Sequence, residues 1–294
     1  MIATAGTWDR AERHMMFLAG GDLEGVQEGL PQPHAYRLLA VNDLTAAAIR
    51  QAEQFIDAGG RVLIDSGVYA LTSAHRRAHD MTMPEALALP PEAIDGFDEL
   101  LRQYVQVVRQ LGDRCWGYVE LDQGGRDGKR ATRARLEALG LRPIPVWHPL
   151  NDGAAYFDEL ASSYDRVCMG NLVHADRATR IRLLHQLLER RRDRYPHLWV
   201  HVLGLAPNPQ LNGLWAAVDS IDASTWLECV RWHDVSDSAM LRPWSTLPAP
   251  FRYARGGRGD PERDDVKACR MGLFSTVVSQ RGWRDWIERT REYV

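Results

Sequence analysis

Three aspartates close short apolar, β-type runs: Val62-Leu63-Ile64-Asp65, Tyr118-Val119-Glu120-Leu121-Asp122 and Val218-Asp219-Ser220-Ile221-Asp222. A carboxylate that ends a buried strand stands where a loop can hold a substrate. Two carboxylates facing one pocket repel, so one tends to keep its proton near neutrality while the other is ionised. Glycosyl transfer needs such a pair: one carboxylate attacks the anomeric carbon, and another group protonates the leaving group. The same residues also make ordinary structure. Asp65-Ser66-Gly67 is a common turn, and Ser220 or Asp222 can open a following helix as its N-cap. Asp219 stands three residues before Asp222, faces differently and is set apart from the pocket.

The elements that would hold these acids repeat along the chain. Eight short apolar runs occur at 15–19, 38–42, 61–65, 115–122, 143–148, 166–170, 198–204 and 216–222. Between them lie helical patterns. Ile94, Phe97, Leu101, Tyr104, Val108 and Leu111 mark one apolar face. Stretches 129–139, 154–161 and 177–194 read similarly, the last with Ile181, Leu184 and Leu188 inward. Another helix spans 45–57, closed by Gly59-Gly60. Buried strands alternating with helices predict an α/β fold, a (β/α)8 TIM barrel. An open doubly wound sheet would show the same alternation. The count of eight favours the barrel, as does the lack of a Gly-x-Gly-x-x-Gly turn after the first run, at Ala19-Gly20-Gly21-Asp22. Barrel function sits at the C-terminal strand ends. Those ends read Gly20-Gly21-Asp22, Asn42, Asp65-Ser66, Asp122-Gln123, His148, Gly170-Asn171, Gly204 and Asp222, nearly all polar or glycine.

The 294 residues suit a single domain, with the barrel core at about 14–226 and a C-terminal extension over 227–294. Segment 72–93 is long, polar and proline-bearing, which predicts a long loop after strand 3 and a plausible lid. The formal net charge is −3, so nucleic acid is not advertised by the whole surface. Lys129 and Lys267 are the only lysines; all other basic residues are arginine, whose fork suits phosphate. The basic candidates for duplex contact are 252–270 and 190–194. Cys115, Cys168, Cys229 and Cys269 form no Cys-x-x-Cys pair, which argues against a disulfide framework or a cysteine zinc site. No apolar run reaches the ~20 residues of a membrane span, so the expectation is a soluble, cytoplasmic protein with no membrane partner. His75 and His79 stand i, i+4 in an arginine-rich segment without a glutamate between them. They read as solvated residues, with no metal assigned.

Six motifs in order carry a family resemblance. Leu63-Ile64-Asp65-Ser66-Gly67, Leu121-Asp122, Pro145-Val146-Trp147-His148, Met169-Gly170-Asn171-Leu172, His201-Val202-Leu203-Gly204-Leu205 and Ser220-Ile221-Asp222-Ala223-Ser224-Thr225-Trp226 resemble the tRNA-guanine transglycosylase superfamily. The nearer likeness is to its compact phage and bacterial branch, which includes DNA 7-deazaguanine transglycosylases. The resemblance implies a TIM barrel that exchanges a guanine-type base through a covalent glycosyl-enzyme, without a cofactor. It implies Asp222 as nucleophile and Asp65 as general acid/base. Asp122 would read the Watson–Crick edge, while Tyr69 and Leu203 would lie on the two faces of the base. Gly204 would give backbone access, and Gly170 would bind the base through its main-chain amide. Ser66 and Asn171 belong to the same substrate-binding motifs, and His148 stands near a base-contacting amide position of the tRNA enzymes. Val68 replaces a second glycine of those enzymes, and their three-cysteine, one-histidine zinc site has no counterpart. That zinc subdomain supports RNA binding, so the expected partner is DNA rather than tRNA, with guanine or a 7-deazaguanine as the exchanged base. A base in a duplex must first be flipped out. Two other readings remain. One is an N-glycosidase or base transferase acting on a free nucleoside or nucleotide; the other is a non-catalytic barrel serving as a binding partner.

Overall fold

The computed structural model describes residues 15–20, 35–205 and 218–224. The expected extension 227–294, its basic segment 252–270, and Cys229 and Cys269 lie outside the described residues.

Eight parallel strands form one curled sheet: β1 (Met15–Ala19), β2 (Tyr36–Ala40), β3 (Arg61–Asp65), β4 (Gly117–Tyr118), β5 (Val146–Trp147), β6 (Arg166–Met169), β7 (Trp199–Val202) and β8 (Ser220–Ala223). The spatial order is β4-β3-β2-β1-β8-β7-β6-β5. Seven helices of six residues or more intervene among the described residues: α1 (Ala46–Asp57), α2 (Val68–Ala78), α3 (Met83–Ala88), α4 (Phe97–Leu111), α5 (Gly125–Ala138), α6 (Ala154–Ser163) and α7 (Arg177–Arg194). The α/β class and a curled, barrel-like parallel sheet are therefore present, but the sheet is not the closed (β/α)8 barrel expected from the eight apolar runs.

Its seam differs from a full strand ladder. The edge strands meet at one parallel bridge, Val119 with Ile144, where Ile144 N–H donates to Tyr118 O at 2.7 Å and Glu120 N–H to Ile144 O at 3.0 Å. The runs at 115–122 and 143–148 were long enough for more. Pro143 and Pro145 flank Ile144 and have no N–H to donate. Beyond them, Val146 N–H donates to the Glu120 side chain at 2.6 Å, and Lys129 Nζ donates to Val146 O at 3.1 Å. Side chains thus take the place of backbone partners here.

Period-two alternation sorts each strand into two faces. Met15, Phe17, Leu38, Leu63, Val146, Cys168 and Trp199 share one cluster inside the curl. Val62 and Ile64 pack outward against α4. Met16, Val167, Val200, Val202 and Ile221 pack outward against α6 and α7. Both faces are covered, which is why the strands read as continuous apolar runs rather than alternating ones.

Helix boundaries follow local chemistry. Thr45 caps α1 by accepting the Ala48 N–H, and Asp176 caps α7 by accepting that of Thr179 at 3.0 Å. Helix α4 buries seven residues on one face, including Tyr104, whose hydroxyl donates to Val119 O at 2.8 Å. In α7 the buried face is Leu183, Leu184, Leu187 and Arg191, while Ile181 and Leu188 lie at its margin. The expected face was therefore rotated, because Arg191 reaches inward to Asp219.

The predicted long loop at 72–93 is instead the end of α2, the whole of α3 and a short turn. Thr82 and Glu85 form a reciprocal capping box, and Pro84 sits in the first turn, where its missing N–H costs nothing. Gln123 then ties this insertion down: its amide donates to Ala86 O at 2.7 Å and Leu89 O at 2.8 Å, and its oxygen accepts the Thr72 hydroxyl at 2.8 Å.

Candidate functional site

Strand parity decides which acids meet. Asp65 follows Leu63 by two residues, and Asp222 stands in register with Phe17, so both share the inward parity of the interior cluster. Asp219 has the other parity. It ion-pairs with Arg191 of α7 at 2.7 Å and accepts the Val200 N–H at 2.8 Å, which is a buried structural role.

Asp65 ends β3 and accepts the Gly67 N–H at 3.0 Å. Gly67 needs to be glycine: its φ is +77°, and a Cβ there would strike Asn42 Oδ1 at 2.1 Å. Asn42 Nδ2 in turn donates to Gly67 O at 3.3 Å. Burial pushes the Asp65 carboxyl up to about 7 against the pull of the Gly67 N–H, with the charges of Asp122 and Asp222 adding to the rise. Its neighbour Ser66 is buried and uses its hydroxyl to accept the Val68 N–H at 3.4 Å, opening α2.

Asp222 is buried at the end of β8. Its Oδ1 accepts the Gly204 N–H at 2.8 Å and faces His201 Nε2 at 3.1 Å. The His201 Nδ1 lies 2.6 Å from the Ser220 hydroxyl. One tautomer satisfies both contacts: Ser220 donates to Nδ1, and Nε2–H donates to Asp222. The His201 ring is fully buried, stacked 5.9 Å from Trp199 and edge-on to Phe17, so its orientation is fixed by packing.

Asp122 faces His148, with Oδ2 2.8 Å from Nε2. Burial raises the Asp122 carboxyl, but the His148 hydrogen bond and charge, helped by Lys129, bring it below the ordinary range. His148 is anchored from behind: its N–H donates to Asp152 Oδ2 at 2.7 Å, and Asp152 forms a buried ion pair with Lys129. Gly170 backs the same ring, since a Cβ there would stand 2.8 Å from His148 Cδ2. A second buried carboxyl, Glu120, pairs with Arg133 at 2.7 Å, and burial pushes it up to about 7.

The remaining expected residues divide. Gly170 N–H donates to Trp147 O at 2.9 Å and Leu203 N–H to Met169 O at 3.0 Å, so both amides serve the backbone. Gly204, at φ +67°, turns its amide to Asp222. The Asn171 backbone is left-handed at φ +55°; its Nδ2 donates to Asn151 at 2.7 Å, while its buried Oδ1 has no partner among the described residues. Tyr69 lies in the first turn of α2 with its ring exposed and stacked 5.9 Å from His174. Burial, with the His148 and Arg180 charges, lowers His174 and favours its neutral ring. Leu203 packs at the edge of the interior cluster.

Two readings of charge change. His75 is buried rather than solvated, and both His75 and His79 bond Asp95, because the α2 backbone turns them toward the start of α4. In the arginine run 190–194, Arg190 and Arg194 bond Asp158, Arg191 bonds Asp219, and Arg192 bonds Asp193. In that run four arginines share three carboxylates, so most of its charge is paired within the chain.

Sequence reasoning missed His201, Lys129, Asp152 and His174. His201 could have been found by parity, since Trp199 and His201 alternate with the outward Val200 and Val202. Lys129 stood out only by being one of two lysines. Together these groups offer a half-buried carboxyl that holds a proton near neutrality, and a carboxylate whose one oxygen is fixed by two donors. Such a set can do acid/base and nucleophilic chemistry at carbon.

No family model matches the chain, and no curated protein matches it. Among the described residues, no helix is long and apolar enough to cross a membrane.

Proposed function

We propose that this chain is a base-exchanging transglycosylase. It replaces a guanine-type base with a 7-deazaguanine in a polynucleotide, DNA in preference to tRNA, through a covalent glycosyl-enzyme. The observation that carries the reading is the unequal treatment of Asp65 and Asp222. Asp65 titrates near 7, which suits a group that must give and take a proton at neutral pH. Both donors to Asp222 meet Oδ1, which leaves Oδ2 as the attacking oxygen.

In this mechanism Oδ2 bonds to C1′ of the sugar as the C1′–N bond breaks, and Asp65 protonates the departing base. The incoming base loses its proton to Asp65 and displaces Asp222, so two inversions retain configuration. Asp122 keeps acceptor capacity beyond its His148 contact and accepts the N–H donors of the guanine edge. Tyr69 and Leu203 cover the base, with Ser66, His148, Gly170, Asn171 and Gly204 around it. The curled sheet functions as a (β/α)8 barrel working in the cytoplasm, its single seam bridge reinforced by Glu120 and Lys129.

The internally paired 190–194 run, four arginines on three carboxylates, favours a second reading, in which the same chemistry acts on a free nucleoside or nucleotide. One experiment separates them: labelled guanine or 7-deazaguanine is incubated with the protein and DNA, tRNA or nucleoside, and the labelled species is identified. A covalent adduct that is lost in Asp222→Ala supports the enzyme. No exchange and no adduct with any substrate would sink both readings.

A further inference from the structure

We propose that His75, His79 and Asp95 bind a divalent transition metal of the zinc class, at a site separate from the three strand-end aspartates. The donors come from two elements. His75 lies in the last turn of α2 and His79 caps its end, while Asp95 immediately precedes Gly96, the N-cap of α4. The i, i+4 spacing puts both imidazoles on one side of the helix, with ring centroids 4.2 Å apart. His75 Nδ1 and His79 Nε2 each stand 3.1 Å from the same Asp95 Oδ2, and all three ligand atoms fall within 4.8 Å of one another.

The two 3.1 Å separations are close to the edge of a coordination tetrahedron. With metal–ligand bonds of about 2.0–2.1 Å, tetrahedral ligand atoms lie about 3.3 Å apart. Two imidazole nitrogens and one carboxylate oxygen suit zinc, cobalt or nickel better than the oxygen-seeking magnesium or calcium. Three protein ligands leave a fourth position for water, and the side chains provide access to it: His79 is 50% exposed and Asp95 79%. The buried His75 supplies the fixed corner.

Along α2 the site stands apart from Tyr69. His75 is six residues beyond Tyr69, roughly 9 Å of helical rise. The metal therefore acts as a clamp. It fastens the far end of α2 to α4, and α2 is the helix whose near end carries Tyr69 and follows Asp65. This inference does not depend on the transglycosylase reading.

The test uses the full chain, stripped with a chelator and titrated with Zn(II) and Co(II). The expected result is one equivalent bound, with a visible d–d band of four-coordinate Co(II). At free zinc about 100 times Kd, Tm should rise by about 5–10 °C. His79→Gln and Asp95→Asn should each weaken binding by more than about 100-fold, beyond what losing an outer-sphere partner costs. Circular dichroism checks that both variants keep their helix content, and His185→Gln on the exposed face of α7 should leave binding unchanged. No stoichiometric binding would mean a hydrogen-bonded trio only and overturn the proposal. Equal affinity in wild type, His79→Gln and Asp95→Asn would place the metal elsewhere and overturn it too.

Discussion

Replacing Asp65 by asparagine should stabilise the protein at alkaline pH and change little at acid pH. Burial raises the Asp65 carboxyl from 3.8 to about 7, with Asp122 and Asp222 adding and the Gly67 N–H opposing. In the unfolded chain the group titrates near 3.8. Between those values the folded protein holds a proton that the unfolded chain has released, so stability falls as pH rises through the window. This is the opposite sign to a salt-bridged carboxylate. A rise of about 3 units at about 1.4 kcal/mol each sets a ceiling of about 4 kcal/mol. Partial solvent access at the rim reduces this to about 2–3 kcal/mol. Asparagine keeps an oxygen for the Gly67 N–H and removes the charge. Urea unfolding of both proteins at pH 4 and pH 8.5 measures the effect. Glu120, also raised to about 7, is present in both proteins and cancels. The gain from Asp65→Asn should therefore grow by about 2–3 kcal/mol between the two pH values. A difference that does not change with pH would refute the proposed protonation of Asp65.

The same carboxyl predicts a pH profile. Single-turnover adduct formation should fall about tenfold per unit above pH 7 as Asp65 loses its proton, and a flat profile to pH 9 would remove it as the acid. His201→Phe keeps the ring between Trp199 and Phe17 but deletes the donor to Asp222. Adduct formation should slow by about 10–100-fold, with about 1–3 kcal/mol lost in urea unfolding because the buried Ser220 hydroxyl also loses its acceptor. Lys129→Met leaves Asp152 buried without its cation and should cost about 3–5 kcal/mol in urea unfolding; a cost below 1 kcal/mol would mean that the pair is solvated. Gly170→Ala drives a methyl into the His148 ring, so equilibrium dialysis should show weaker guanine binding by a protein that still folds.

How much of this could be read from the chain depends on the kind of interaction. The apolar runs gave the strand number and α/β class, because a parallel sheet covered on both faces must be apolar throughout. Period-two parity placed Asp65 and Asp222 on one face and Asp219 on the other, and the Asp219–Arg191 pair agrees with that division. The seam was not legible, since it depends on Glu120 and Lys129 reaching backbone groups of Val146 from separate elements. Nor was the insertion after β3. Its polarity looked like a loop, but Thr82 and Glu85 formed a capping box, and Gln123 anchored the result from 34 residues or more away. His75 looked solvated because its partner, Asp95, lies 20 residues on. The Thr82–Glu85 box was local and readable from its Thr-x-x-Glu spacing; the other misses are long-range side-chain contacts that local periodicity does not encode.

The division of labour among the three aspartates follows from the donors that meet them. Asp222 has the Gly204 N–H and His201 on one oxygen. Asp122 has His148, whose backbone N–H is held by Asp152, itself paired with Lys129, so a line of polar contacts runs from the buried lysine to the rim. Asp65 has no cation in hydrogen-bond contact among the described residues. Its side chain meets the Gly67 N–H while both other carboxylates repel it. With two donors on Asp222 and His148 on Asp122, Asp65 is the least supported of the three and the one where burial favours a held proton. It follows that Asp122→Asn should lower the Asp65 carboxyl modestly, since burial outweighs that charge, and shift the alkaline limb of the adduct profile to lower pH. A limb that moved upward would show that Asp122 does not carry its charge next to Asp65.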